Sequence, residues 1–209
     1  MTNEAVPPSH QDPPPGADGV PGPGTPGYGP DALATPANFL TVVRLLVAPI
    51  LFAMIADTVA TWPNFLLWTA LVGTDGIDGF IARRHGTTRS GAFLDPLADK
   101  VLVLGAMFAL VAADSFPLLP VMIIAVREVA ISLFRVQLGR HGLAVPARPS
   151  AKVKTVIQAL AVGAAVMPWL APYSWLALSL LWAAVVMALV SGYQYLRDGR
   201  RAATSMKRP

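Results

Sequence analysis

Long apolar runs follow one another along the chain from Asn38 onward, and short polar or basic connections separate them. A run of about 20 apolar residues is long enough to cross the hydrocarbon core of a bilayer as a helix. The pattern therefore predicts an all-α integral membrane fold. We expect six transmembrane helices, at residues 39–57, 63–84, 91–113, 117–139, 153–171 and 174–196.

The beginning of the chain has a different composition from the rest. Residues 1–36 contain half of the 20 prolines, mixed with glycine. Such a segment cannot bury enough apolar surface to offset the entropy lost on ordering. We therefore predict a disordered Pro/Gly-rich cytoplasmic tail at 1–36, a membrane catalytic domain at 37–198 and a basic cytoplasmic tail at 199–209.

Lysine and arginine residues are concentrated at alternate connections between the apolar runs. The connections at 83–90 and 140–154 are basic, as is the C-terminal end. The connections near 57–63, 113–117 and 171–174 contain no lysine or arginine. By the positive-inside rule, the basic connections and both termini are expected to face the cytoplasm of a bacterial cell.

The composition excludes several other classes of protein. The chain is 54% hydrophobic and 13% charged, whereas a soluble domain has about 25% charged residues. The net charge is +4, but the basic residues interrupt apolar runs and form no solvated basic face, so we expect no nucleic-acid partner. The absence of cysteine excludes disulfides and thiolate metal ligands.

Four aspartates interrupt the second and third apolar runs. Asp75 and Asp78 are three residues apart in the second run. Asp95 and Asp99 are four residues apart in the third, so each pair shares one face of its predicted helix. Two helices joined by the short connection 83–90 run antiparallel, and the helical rise places the carboxylates about 8–15 Å below its arginines. The active site is therefore predicted near the cytoplasmic face.

Carboxylates at membrane depth are costly and usually carry function. Four of them at one level repel one another unless cations lie between them. Oxygen ligands favour Mg²⁺ or Mn²⁺, and two ions suit four carboxylates better than one. Two such ions can hold the attacking and leaving oxygens of an in-line phosphoryl displacement. A metal-ion transporter is the alternative, although the acids cluster in one half of the chain and have no counterpart in the other.

The residues from Asp75 to Asp99 form a spaced pattern: Asp-x-x-Asp-Gly-x-x-Ala-Arg, seven residues, then Gly-x-x-x-Asp-x-x-x-Asp. This pattern resembles the defining motif of the CDP-alcohol phosphatidyltransferases at all eight fixed positions. The resemblance implies that Asp75, Asp78 and Asp95 bind two metal ions. It implies that Asp99 is the general base and a candidate fourth ligand. The CDP site would be lined by Asn38, Thr41, Asp75, Gly79, Ala82 and Arg83.

Within this family the chain is most similar to the phosphatidylglycerophosphate synthases, in the runs at 37–44, 94–100, 127–135 and 152–158. This similarity implies transfer of a phosphatidyl group from CDP-diacylglycerol to glycerol 3-phosphate, release of CMP, and a homodimer. An anionic acceptor needs cations on the later helices. The candidates are Arg127, Arg135, Lys152 and Lys154.

Some of these basic residues have a simpler explanation, because lysine and arginine near a membrane interface also extend toward lipid headgroups. Glu128 is expected to neutralise one of the arginines. Two positions depart from the subfamily pattern, since Ala151 replaces a glycine and Gly76 replaces a bulky aromatic residue. Other acceptors therefore stay open, namely phosphatidylglycerol in a cardiolipin synthase or an inositol phosphate in a phosphatidylinositol phosphate synthase.

Overall fold

The computed structural model describes three segments of backbone, at residues 36–85, 89–140 and 149–205. Side chains are described within them at 39–74, 97–137 and 152–198. No strand occurs in these segments, so the predicted all-α class is confirmed for them. Their helices are α1 (Pro36–Asp57), α2 (Trp62–His85), α3 (Arg89–Ala112), α4 (Leu118–Arg140), α5 (Pro149–Val166), the 3₁₀ helix η1 (Pro168–Tyr173) and α6 (Ser174–Ser205).

Each predicted span overlaps one of these α-helices; the sixth helix continues beyond its span to Ser205, and the fifth ends early. Its predicted end at residue 171 is wrong, because α5 ends at Val166 and η1 follows. Proline has no backbone N–H, and it disfavours the helical conformation of the residue before it. Met167, which precedes Pro168, accordingly has extended dihedral angles, with φ −76° and ψ 120°.

Two helical segments in the described residues are long and apolar enough to cross a membrane by length and composition. They are Phe39–Asp57 and Pro168–Asp198. The tail at 1–35 and the connections at 86–88 and 141–148 lie outside the described residues. The count of six spans therefore stays a prediction.

The core lies between α1 and α3 on one side and between α5 and α6 on the other. The ring of Phe52 on α1 lies against Gly105 on α3, and a Cβ at that glycine would overlap the ring. Small residues allow helices to approach closely in this way. Leu51 on α1 and Leu110 on α3 are fully buried. This close approach brings the N-terminal half of α1 to the part of α3 that carries Asp99.

The connection between α1 and α2 is held by Asn64, which is 1% exposed. Its Nδ2 donates to the carbonyl oxygens of Thr58 and Val59, at 2.6 and 3.0 Å. Its backbone N–H donates to Thr61 Oγ1 at 3.3 Å, so Thr61 caps the start of α2. The two helices are therefore fixed at the end away from the predicted carboxylate site.

Candidate active site

Asp99 is the one predicted metal ligand whose side chain is described, and it pairs with an arginine from another helix. Nη1 of Arg44 on α1 donates to Asp99 Oδ1 at 3.2 Å. The arginine side chain is 2% exposed, whereas that of Asp99 is 35% exposed. A buried guanidinium needs a counter-charge, and Arg44 holds one oxygen of a carboxylate that is about one-third exposed.

Thr41, predicted to contact the CDP group, lies at the same end of α1. It is three residues before Arg44 and therefore on the same helix face. The side chain is 1% exposed. The structure thus places Thr41 and the Arg44–Asp99 pair in the region where α1 meets α3.

The remaining predicted metal and CDP residues lie on helical backbone, but their side chains fall outside the described part of the chain. They are Asn38 in α1, Asp75, Asp78, Gly79, Ala82 and Arg83 in α2, and Asp95 in α3. Asp99, one helical turn after Asp95, offers an accessible carboxylate, which is the kind of oxygen donor that Mg²⁺ and Mn²⁺ prefer. The described residue therefore fits a metal site of this type.

A second group of charged side chains connects α4 with α5. Glu128 Oε1 accepts hydrogen bonds from Arg127 Nη1, at 2.9 Å, and from Lys154 Nζ. The Arg127, Glu128 and Lys154 side chains are 11%, 7% and 5% exposed. We call these three residues the Glu128 cluster. Glu128 does pair with an arginine, as expected from the sequence, and it also pairs with a lysine from the next helix.

Arg127 extends the cluster to α6. Its Nε donates to the carbonyl oxygen of Ala188 at 3.0 Å, and its Nη2 donates to Ser191 Oγ at 2.9 Å. Gly192 makes room for this side chain, because a Cβ there would lie 3.3 Å from Arg127 Nε. Each nitrogen of the guanidinium thus makes a hydrogen bond inside the protein, and Arg127 ties α4 to α6.

Lys100 links the Glu128 cluster to α3. Its Nζ donates to Ser132 Oγ, and that hydroxyl donates to the carbonyl oxygen of Glu128 at 2.6 Å. Lys100 also interacts electrostatically with both Glu128 and Asp99. The predicted base and the Glu128 cluster therefore belong to one connected polar region.

The four predicted acceptor-binding cations occupy different environments. Arg127 and Lys154 meet at Glu128 inside the bundle. Arg135 is exposed, and its guanidinium lies 5.7 Å from the centroid of the Tyr195 ring. Lys152 is exposed on α5. The structure brings two of the four together and leaves the other two at the surface of the described residues.

Comparison with known proteins identifies the family. The family model of the CDP-alcohol phosphatidyltransferases matches residues 34–190. The chain belongs to this family. The expected family is thereby confirmed, and so is the class of enzyme. The match includes every residue of the Arg44–Asp99 pair and the Glu128 cluster.

This phosphatidyltransferase also has named bacterial relatives. It is 33% identical over 178 residues to a probable phosphatidylglycerophosphate synthase of Mycobacterium tuberculosis, covering 81% of this chain and 83% of that protein. It is 35% identical over 179 residues to the CDP-diacylglycerol–glycerol-3-phosphate 3-phosphatidyltransferase of Bacillus subtilis, covering 76% and 91%. The Escherichia coli protein of the same name is 35% identical over 177 residues, covering 78% and 93%.

Sequence reasoning missed three features of this enzyme. Arg44 is not among the predicted site residues, yet a lone arginine inside an apolar run is itself a signal of function. Lys100 was passed over, although it directly follows the motif. Gln158, one turn after Lys154, is 3% exposed, and its Nε2 has no hydrogen-bond partner among the described residues. It ends the run at 152–158 that carries the subfamily resemblance, which was the signal that could have marked it.

Proposed function

We propose that this enzyme transfers the phosphatidyl group of CDP-diacylglycerol to glycerol 3-phosphate, giving phosphatidylglycerophosphate and CMP in phospholipid biosynthesis. The observation that carries the proposal is the partly exposed Asp99 carboxylate beside a region rich in buried and half-buried cations. Among the described residues of this region, four positive charges (Arg44, Lys100, Arg127 and Lys154) stand against the two carboxylates of Asp99 and Glu128. Such an excess favours an anionic acceptor over a neutral alcohol. The names of the relatives support glycerol 3-phosphate.

The chemistry begins at the acceptor hydroxyl. Asp99 takes its proton, and the hydroxyl oxygen attacks the phosphorus that carries the diacylglycerol. The bond from that phosphorus to the bridging oxygen breaks, and CMP leaves. Arg44 holds Asp99 Oδ1 throughout, so the carboxylate keeps one orientation toward the acceptor.

The four motif aspartates would hold two Mg²⁺ or Mn²⁺ ions, which when bound stabilise negative charge on the reacting phosphates. Arg83 would pair with a phosphate of the CDP group. Gly79 and Ala82 would leave room for the nucleotide, and Asn38 and Thr41 would contact it from α1. The family model, which matches residues 34–190, supports this assignment.

The acceptor phosphate would be bound by Arg127, Arg135, Lys152 and Lys154. Lys154 and Arg127 are the interior members of the set, with side chains 5% and 11% exposed. Lys152 and Arg135 are exposed, so their charges would attract an anionic acceptor from the surface.

A multi-pass arrangement with both termini in the cytoplasm fits the aromatic residues at the other end of the bundle. Trp62 and Trp169 meet edge to face, with ring centroids 5.3 Å apart. Trp169, Tyr173 and Trp175 are 71%, 54% and 63% exposed. Exposed aromatic rings are enriched at membrane interfaces, and this end has no lysine or arginine between residues 155 and 196. The homodimer stays a prediction, to be tested by light scattering in detergent.

The test is CMP release by the purified enzyme from CDP-diacylglycerol with each acceptor in turn. We expect activity with glycerol 3-phosphate, and loss of it in Asp99→Asn. The matched control is Asp57→Asn, which changes an exposed aspartate at the other end of α1 and should retain activity.

Other results would assign other functions. Activity only with phosphatidylglycerol or an inositol phosphate would make the chain a sister enzyme. Metal uptake into proteoliposomes without CMP release would indicate a transporter. Full activity of Asp99→Asn would refute the role of Asp99 as base.

A further inference from the structure

Glu128 is the residue through which four helices are connected in the polar region. Its Oε1 accepts from Lys154 on α5 and from Arg127, which also contacts α6. Its carbonyl oxygen accepts from Ser132, which in turn accepts from Lys100 on α3. Glu128 itself is 5% exposed. Its carboxylate is therefore the interior counter-charge for one cation of its own helix, Arg127, and one cation of α5, Lys154.

The two cations depend on this carboxylate to different degrees. Arg127 has further hydrogen bonds to Ala188 and Ser191 on α6, so it is held in place without Glu128. Lys154 has a long flexible stem. Among the described residues, Glu128 is the acceptor that its ammonium contacts. The position of Lys154 is thus the one that Glu128 determines.

We propose that Glu128 is a positioning residue that keeps the Lys154 ammonium inside the bundle, where it binds the phosphate of the acceptor. This inference rests on the proposed function for its role in catalysis, but not for its effect on the position of Lys154. Glu128 acts through Lys154 and does not itself touch the acceptor, because a carboxylate repels an anionic ligand.

Removal of the carboxylate would have two opposing effects. The site would lose one negative charge, which by itself favours an anion. However, an unpaired buried ammonium is strongly disfavoured, and a lysine stem can carry its ammonium out to the headgroup layer. When Lys154 leaves, the site has lost one anion and one cation, so its net charge is unchanged and a hydrogen-bond donor is missing. Binding of the acceptor therefore weakens.

The position of Lys154 is tested first, without any activity assay. The enzyme is treated in liposomes with a water-soluble amine-acylating reagent, and labelling at each lysine is measured by mass spectrometry. Lys152, two residues away and exposed, is the internal control. In the wild type, Lys154 should be protected and Lys152 labelled. In Glu128→Gln, labelling of Lys154 should rise to the level of Lys152. Continued protection of Lys154 in this variant would overturn the proposal.

The role in acceptor binding is tested by steady-state kinetics. Glu128→Gln should raise KM for glycerol 3-phosphate about tenfold, as expected for loss of a charged hydrogen bond, with KM for CDP-diacylglycerol nearly unchanged. Lys154→Met should have the same effect, and the double variant no further effect. Glu128→Asp should restore part of the affinity, and Asp57→Asn should match the wild type.

Two kinetic results would overturn the proposal. A parallel rise in both KM values with a lower melting temperature would show that Glu128 only holds the helices together. An unchanged or lower KM for the acceptor would show that the lost negative charge dominates. If the wild type uses a different phosphate-bearing acceptor, the proposed function is wrong about glycerol 3-phosphate, but the proposal for Glu128 is still open to test. The same comparison with that acceptor then tests Glu128.

Discussion

The pairing of Arg44 with Asp99 makes the sharpest prediction, because it joins a buried cation to the proposed base. We consider Arg44→Gln, which keeps a hydrogen-bonding side chain but removes the charge. Complete removal of one partner from a fully buried pair costs about 3–5 kcal/mol. Asp99 is 35% exposed and water can solvate it, so we expect a smaller loss of about 1–2 kcal/mol in the free energy of unfolding.

The effect on catalysis should be larger than the effect on stability. Arg44 Nη1 lies 3.2 Å from Asp99 Oδ1, so loss of the contact lets the carboxylate turn away from the acceptor hydroxyl. A displacement of about 1 Å in a reacting group can lower the rate about 100-fold. We expect kcat for CMP release to fall about 10- to 100-fold, with a small change in KM for either substrate.

Two further variants separate positioning of the base from general stability. Arg44→Lys keeps the charge but loses the planar guanidinium, so it should recover part of kcat. Arg197→Gln changes an exposed arginine on α6 and should behave as the wild type. If Arg44→Gln lowered the melting temperature but left kcat intact, the pair would serve only the packing of α1 against α3, and the reasoning would be wrong.

Three other predictions follow from the same structure. Gly105→Ala should lower the free energy of unfolding by about 1–3 kcal/mol, measured by thermal melting in detergent, because its Cβ would overlap Phe52. Gly73→Ala is the control, since nothing lies within 4 Å of its Cβ position, and equal melting of the two would contradict the packing. Chelation by EDTA should abolish CMP release, and added Mg²⁺ or Mn²⁺ should restore it. In single-tryptophan variants, shallow brominated lipids should quench Trp175 more than deep ones do, and Trp182, about 10 Å further along α6, should show the reverse.

The helices could be predicted from the sequence, because each apolar run is bounded by residues that end helices or face water. The end of α5 at Val166 was also readable in principle, since Pro168 and Pro172 exclude a regular helix beyond it. The predicted end at residue 171 was wrong because it rested on hydropathy alone, and the residues around Pro168 are apolar. The positions of helix ends along the chain are therefore determined mainly by nearby residues.

Pairs between helices could not be predicted in the same way. Arg44 and Asp99 are 55 residues apart, and no periodicity states which faces of α1 and α3 meet. Arg127 could be matched with Glu128 as its sequence neighbour, whereas Lys154 could not. These contacts depend on the rotation of each helix and on how closely two helices approach. Small residues such as Gly192 set that approach, and their partners lie far away in the sequence.

Two adjacent residues of α3 show how one helix can serve both halves of the reaction. Successive side chains on an α-helix point about 100° apart. Asp99 accordingly faces Arg44 on α1, while Lys100 faces Ser132 on α4. The proposed base therefore faces α1, and its neighbour leads through Ser132 to the Glu128 cluster, where the acceptor phosphate would be bound. Because both residues are on one turn of α3, this helix contacts α1 through the proposed base and α4 through the next side chain.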